Sequence, residues 1–483
     1  MRHHLSSLPM ALRTAGHVPG HPFTADLPNS ALNSSIKPDS AETKAVLKGS
    51  WYAALIAMAA AMGGLLFGYD TSVISGAILF VREQFKLSSV ETELAVSIVL
   101  AGAAVGAAVS GYLGDRFGRK PVLVVDAVLF AVFAVATGVA HSFGIFLVAR
   151  FMIGVAVGIT SMITPLYIAE LAPPKIRGAL VTLNQLAIVI GIVVAYGVDY
   201  WFAPSGNWGA MFISAVAPAV ILLQALVFLP ESPRWLADNG RENEAWQVLS
   251  RVESAQDAQR HLAELRDVAA DKVKFSDLFS IRFRKPMIVG VGLAIFQQIT
   301  GVNTVIYYTP TILQMAGFES AATAILATAL VGAVNVVATV ISLFLLDHLG
   351  RRLLLLISIT GMGLSLLHLG YAFGASQMSR TVIMLDVIAY LASFALGLGP
   401  VFWLLISEIY PTTVRGRAMS VASVTIWVAD CFVTMTFLSL VETLGPRVLF
   451  WLYAGTCAAA LVFCSKLVPE TKDRTLEEIE ASW

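Results

Sequence analysis

Apolar residues run along this chain in twelve blocks, each near the roughly 20 residues that a helix needs to cross a bilayer core. The blocks fall at 52–80, 94–112, 121–140, 145–168, 179–202, 210–229, 287–315, 322–346, 353–374, 381–409, 417–440 and 448–467. The pattern predicts an all-α membrane protein with twelve transmembrane helices. Close glycine pairs, Gly102 with Gly106 and Gly154 with Gly158, predict helices that approach tightly. One long polar segment interrupts the series, Glu231 to Lys285, with ten basic and ten acidic residues. Within it Ala245, Val248, Leu249, Val252, Leu262 and Leu265 recur near a 3.6 period, which predicts two or three short surface helices.

The chain thus divides into a tail (1–50), a first six-helix half (51–230), the insert (231–285), a second half (286–467) and a short tail (468–483). The first tail reads as disordered: four of the eight His lie before residue 22, and no apolar periodicity occurs. It lacks the apolar core and small residues of a removed signal peptide, and Met10 is an alternative start. Composition agrees with the membrane class, at 57% hydrophobic, 13% charged and a mean hydropathy of +0.76. With 32 basic and 32 acidic residues the net charge is +0, which gives no reason to expect a nucleic-acid partner. Cys431, Cys457 and Cys464 sit in apolar stretches, and no CxxC or HxxxH spacing appears, so neither a disulfide framework, a metal nor a cofactor is expected. Lys and Arg collect in the even-numbered connections (Arg116, Arg119 and Lys120; Lys175 and Arg177; Arg351 and Arg352; Arg415 and Arg417), which predicts that these and both termini are cytoplasmic.

Three motifs occur twice. GDRFGRK at Gly114 returns as LDHLGRR at Leu346, 232 residues on; AELAPPKIRG at Ala169 returns as SEIYPTTVRG at Ser407, 238 on; PESPR at Pro230 returns as PETK at Pro469, 239 on. One nearly constant offset implies two homologous halves, an arrangement that puts a substrate site near the midplane between them.

Asp70 is the only charge between Lys48 and Arg82. It lies 12 residues before Arg82, about 18 Å along a helix, and Arg150 lies 9 after His141, about 14 Å. At matched depth, where a lone charge costs about 2.5–3.5 kcal/mol, the two are expected to pair. A static bridge between helices is the simpler use of such a pair. Polar amides also reach mid-depth: Gln185, Gln297, Gln298, Asn303 and Asn335, with Trp403 and Trp427 as stacking surfaces. On an unbroken helix Asn303 would stand about 140° from Gln298, so a break near Gly301 is needed to bring both to one cavity, with Tyr307 as an outer lid. Helix-to-helix hydrogen bonding is the plain alternative for any one of these amides.

From about Trp51 to Lys472 the sequence resembles the sugar porters of the major facilitator superfamily, through GYDTSVISG, DRFGRK, the two E-to-RG motifs, PESPRWL, QQITGVNTVIYY and GPVFW. The resemblance implies a monosaccharide carrier whose Asp70 binds the coupling proton, with Arg150 as its partner, and whose sugar contacts are Gln185, Gln297, Gln298, Asn303, Asn335 and Trp403. Pairing favours an ionised carboxylate and burial alone a protonated one, so moving Arg150 away from Asp70 would take up a proton. Departures from the family pattern are Ile192 and Ile426 at places often polar, Asp430 where Asn is usual, and Gly209 and Ala215 where some relatives have Arg and Glu. A gate is expected from Asp115, Arg116, Arg119, Glu170, Arg177 and Glu231 with Arg351, Arg352, Glu408, Arg415 and Glu470, as exposed pairs worth 0–1 kcal/mol each that open in every cycle. Asp126, His368 and Asp386 receive no role. The expected activity is proton-coupled symport of a monosaccharide, hexose before pentose, by a monomer in the cell membrane. An uncoupled facilitator and a transporter-like sugar sensor are the rivals; a membrane enzyme would need convergent nucleophile, base or metal residues, and none assemble.

Overall fold

The computed structural model describes residues 40–173, 176–268, 278, 280, 283–375, 379–411, 414–472, 474 and 478–479. Residues 1–43 and Lys44–Trp483 separate as two units, and all twelve apolar blocks belong to the second. Of the expected tail, residues 1–39 lie outside the described residues, as does Lys175; its last residues already belong to a helix, Ser40–Phe85.

Among the described residues twelve helical segments are long and apolar enough to cross a membrane: span 1 (Trp51–Phe85), span 2 (Ser89–Phe117), span 3 (Arg119–Gly138), span 4 (Phe143–Leu171), span 5 (Arg177–Ser205), span 6 (Trp208–Phe228), span 7 (Arg284–Met315), span 8 (Ala321–Leu346), span 9 (Arg351–Phe373), span 10 (Arg380–Ile409), span 11 (Arg415–Leu444) and span 12 (Pro446–Leu467). Their ends lie within a few residues of the apolar blocks. Between spans 6 and 7 the described residues include three short helices, Pro233–Asp238, Glu242–Val252 and Ala255–Val268. In the second of them Ala245, Val248, Leu249 and Val252 are the buried stripe.

Glycine decides which helices touch backbone to backbone. Gly102 and Gly106 of span 2 lie against the main chain of Phe151 and Val155, while Gly154 and Gly158 of span 4 lie against that of Val99 and Ala103. This reciprocal contact leaves no room for a Cβ on either side. Likewise Gly64, Gly68 and Gly76 of span 1 face Asn184, Ile188 and Asp199 of span 5. The two halves meet where span 2 packs on span 11 and span 5 on span 8.

Span 7 is broken. Gly301 adopts φ +87°, a left-handed conformation open to glycine, and divides the span into Arg284–Ile299 and Val302–Met315. A Cβ here would also meet the Tyr453 ring at 2.6 Å. Span 10 is also interrupted, at Gly397 with φ −142° and so without a left-handed residue, between Arg380–Leu396 and Leu398–Ile409.

Candidate functional site

The break at Gly301 turns the start of the second helix back onto the end of the first. Asn303 Nδ2 donates to Gln298 Oε1 at 3.0 Å, Gln298 Nε2 to Gln297 Oε1 at 3.3 Å, and Gln297 Nε2 to the Leu398 carbonyl of span 10 at 3.1 Å. The chain of amides ends on a carboxylate: Asp430 Oδ2 accepts from Asn303 Nδ2 at 2.7 Å and from the Tyr307 hydroxyl at 3.2 Å, and its Oδ1 accepts from Thr434 at 3.1 Å. Gln297, Gln298, Tyr307 and Asp430 are all buried. Among the described residues no basic side chain forms an ion pair with Asp430. Its place in the network was invisible in the sequence, because two of its three donors, Asn303 and Tyr307, come from span 7, over 120 residues away.

The remaining candidates lie around this network. Trp427 is buried one turn from Asp430 and stands edge-on to Phe67 of span 1, centroids 5.4 Å apart, so it touches the other half. Trp403 is half-buried with its ring edge-on to Phe402. Gln185 is half-buried on span 5, and Asn335 is buried on span 8 with an Oδ1 that has no hydrogen-bond partner among the described residues. Neither amide joins the hydrogen-bonded chain. Ile192 and Ile426 are buried.

In the first half Arg150 Nη1 donates to Asp70 Oδ1 in a direct ion pair, both side chains buried, with the guanidinium 5.2 Å from the centroid of the Phe212 ring. Arg150 Nε and Nη2 have no hydrogen-bond partner among the described residues, so the cation keeps donors in reserve. Tyr307 lies close enough for the charges of both Asp70 and Arg150 to act on its hydroxyl. That hydroxyl donates to Asp430, which makes Tyr307 part of the second half's network.

At the end bearing the basic connections each half builds the same device. Gly118 (φ +96°) and Gly350 (φ +86°) immediately precede spans 3 and 9, and the N–H groups that follow point at a carboxylate. Arg119 N donates to Glu231 at 3.0 Å and Lys120 N at 3.3 Å; Arg351 N and Arg352 N donate to Glu470 at 2.9 and 3.1 Å. A helix N-terminus is a natural anion site. Burial pushes the Glu470 carboxyl up, but the N–H groups of Lys472, Arg351, Arg352 and Thr471 outweigh it and hold the group below the usual glutamate range. Arg119 also grips Glu170 at 3.0 and 2.9 Å, and Arg351 reaches Glu408 at 3.0 Å. Ser232 and Thr471 complete the carboxylates from the far side, at 2.5 and 2.6 Å. Each of these bonds stays inside one half. Asp115 is exposed and 3.3 Å from Arg119, Arg116 is exposed over Phe117, Arg177 is half-buried, and Arg415 donates to the Tyr410 carbonyl at 3.2 Å.

The opposite end carries a link that no motif or spacing along the chain signals. Glu93 of span 2, buried, accepts from Ser439 N and Oγ of span 11, both at 2.7 Å. Elsewhere His368 Nδ1 contacts Asp386 at 2.8 Å, and Asp126 accepts from the Thr160 hydroxyl. Among the described residues no cluster of His, Cys, Asp and Glu is arranged to hold a metal.

Two duplicated six-span halves around polar groups at mid-depth are the architecture of a secondary transporter. The chain belongs to the Sugar (and other) transporter family, whose model matches residues 56–483, and is a bacterial sugar porter of the major facilitator superfamily, not an enzyme. It is 38% identical over 438 residues to the arabinose-proton symporter of Escherichia coli (88% of this chain, 92% of the relative). Identity to the D-xylose transporter of Levilactobacillus brevis is 41% over 432 residues (87% and 94%). The partially occluded inward-open structure of the xylose transporter XylE from E. coli matches with a TM-score of 0.79 at 33% identity, covering 88% of this chain and all of that one.

Proposed function

We propose that this chain carries a monosaccharide across the cell membrane together with a proton, by alternating access and as a monomer with both termini in the cytoplasm. The observation that carries the reading is the buried Asp70–Arg150 pair of the first half together with the amide chain of the second, whose Tyr307 hydroxyl donates to Asp430. Gln297, Gln298 and Asn303 offer the mixed donors and acceptors that sugar hydroxyls require, and Trp403 and Trp427 offer flat faces for the C–H side of a ring. Gln185 and Asn335 reach into the same space from spans 5 and 8. Symport fits the charge chemistry: Asp70 is ionised while Arg150 holds it and binds a proton when the pair separates. One charge crossing 100 mV is worth about 2.3 kcal/mol and about 1.4 kcal/mol is tenfold, so one proton per sugar sustains accumulation well over tenfold. Relatives named for arabinose, xylose and galactose span pentoses and hexoses; a hexose is favoured over a pentose, while the buried Ile192 and Ile426 make the far end of the site less polar and do not discriminate the cargo. The Gly118 and Gly350 networks brace each half at its cytoplasmic end, and Arg177 and Arg415 stand beside them.

Uptake into proteoliposomes under an imposed pH gradient tests this. Asp70→Asn is expected to abolish accumulation yet leave sugar exchange, and Gln298→Ala to raise the sugar concentration for half-maximal exchange. Accumulation by the Asn variant would refute the coupling role. Competition by glucose, galactose, xylose and inositol in the same vesicles identifies the cargo.

A further inference from the structure

Asp199 is a second carboxylate in the first half, three residues from the end of the helix Arg177–Phe202 and fully buried. No side chain among the described residues donates to either of its oxygens, and the backbone N–H of Gly76 is the one donor beside it, without the geometry of a full hydrogen bond. It lies flat against span 1 at Gly76, where an added Cβ would come within 2.5 Å of Oδ2 and 2.7 Å of Cγ. Only glycine leaves room for it. Leaving a buried polar group unpaired costs about 1–3 kcal/mol, and more for a charge, so such a group calls for an explanation.

Its surroundings supply one. Gly76 is six residues beyond Asp70 on the same helix, about 9 Å nearer the end opposite the basic connections. Between the two levels stand hydroxyls. Tyr69 of span 1 is subject to the charge of both Asp70 and Asp199, and its hydroxyl is 2.5 Å from Ser214 of span 6. Tyr196, one turn below Asp199 on span 5, lies near Ser72 and Ser75, with its hydroxyl donating weakly to the Ile306 carbonyl of span 7 at 3.4 Å. Ser72 Oγ is itself buried without a partner among the described residues. Among the described residues the titratable groups that feel Asp199 are thus Tyr69 of span 1 and Tyr196 of its own helix; Asp70, about 9 Å along span 1 from Gly76, is engaged by Arg150.

We propose that Asp199 is a proton-binding site in series with Asp70, the carboxylate through which the coupling proton enters from the end opposite the basic connections. This role presupposes that the chain is a proton symporter. The Asp199 carboxylic acid gives up its proton along the hydroxyl path, the Asp70 carboxylate takes it as Arg150 is released, and the Asp199 carboxylate is reloaded from solvent. One O–H bond breaks, one forms, and no electron changes hands. A relay sets how fast the proton arrives, whereas Asp70 sets whether sugar and proton move together.

The test uses the full chain in proteoliposomes with a trapped pH dye. Asp199→Asn preserves shape and removes the exchangeable proton. Sugar-induced proton entry and the initial rate of gradient-driven uptake are expected to fall at least about tenfold, by analogy with the loss of a positioned proton donor. Steady-state accumulation should reach the wild-type level, and exchange at equal sugar on both sides should stay within about twofold. An initial rate within twofold of wild type overturns the proposal. So does a parallel loss of exchange, which makes the residue structural, and so does lost accumulation with exchange intact, which makes Asp199 the coupling site itself. If the wild type moves no proton with sugar, it is the symport reading that fails.

Discussion

Substitution of Asp430 separates what its shape does from what its charge does. In Asp430→Ala three donors lose their acceptor, but two have alternatives. Thr434 turns to the carbonyl four residues back, as Thr425 already does at 2.8 Å, and Asn303 keeps Gln298 at 3.0 Å. Tyr307, only 2% exposed, is left with an orphaned hydroxyl, a loss of about 1–3 kcal/mol. In Asp430→Asn the amide oxygen takes over from Oδ2, and the amide nitrogen faces a Thr434 hydroxyl able to accept. Three hydrogen bonds drop from charge-assisted to neutral strength, about 1 kcal/mol each. Against this stands, for an ionised Asp430, the removal of an unpaired charge in the membrane, about 2.5–3.5 kcal/mol. The two nearly cancel. Asp430→Asn is therefore expected to stay within about 1 kcal/mol of wild type, and Asp430→Ala to fall about 1–3 kcal/mol below it. Thermal unfolding in detergent reads stability, and quenching of tryptophan fluorescence by sugar reads the site that Trp427 overlooks. An Asn variant as unstable as the Ala variant would show that the charge itself holds Asn303 and Tyr307, and the cancellation would be refuted.

The packing and the basic end give two more expected outcomes. Gly154→Ala puts a methyl into the Val99 main chain and should cost about 1–3 kcal/mol or more; Gly455→Ala in span 12, where nothing lies within 4 Å, should be silent, and equal melting of the two variants would contradict the glycine-mediated contact. The Glu470 carboxyl is held below its ordinary value near 4.5, so its contribution is complete above that pH and disappears as the pH falls through the lower folded value. Glu470→Gln should flatten the acid limb of the unfolding profile below pH 4.5 and leave the neutral range unchanged in slope; an unaltered acid limb would exclude Glu470 as its source.

What the sequence reveals here depends on which physical quantity is counted. Span lengths follow from runs of apolar residues, and depth follows from residues counted from a span end, so the twelve spans and the common level of Asp70 and Arg150 are readable before any coordinates. The break at Gly301 is readable too, because Gln298 and Asn303 otherwise point apart. Rotation of one helix against another is a different quantity. Nothing in the spacing along span 11 says that Asp430 turns toward Asn303 and Tyr307, nor along span 2 that Glu93 meets Ser439. The basic motifs show the same limit: their charges suggest a gate of side chains, whereas positive φ at Gly118 and Gly350 makes them sockets of backbone N–H for Glu231 and Glu470.

The duplication sharpens the contrast between the halves. At the basic end the copies remain interchangeable: Gly118, Arg119, Glu170, Glu231 and Ser232 in one half repeat as Gly350, Arg351, Glu408, Glu470 and Thr471 in the other, bond for bond. At mid-depth they have diverged. Adding the offset of 232 between Gly114 and Leu346 to Asp70 lands on Val302, next to Asn303. Where the first half holds a carboxylate bound to a cation, the second holds an amide bound to Asp430. A proton is best taken up by a group whose partner leaves, and a sugar by groups whose charge never changes. Two copies of one bundle can meet both demands only if the polar residue at equivalent depth differs between them, as the carboxylate of Asp70 differs from the amide of Asn303.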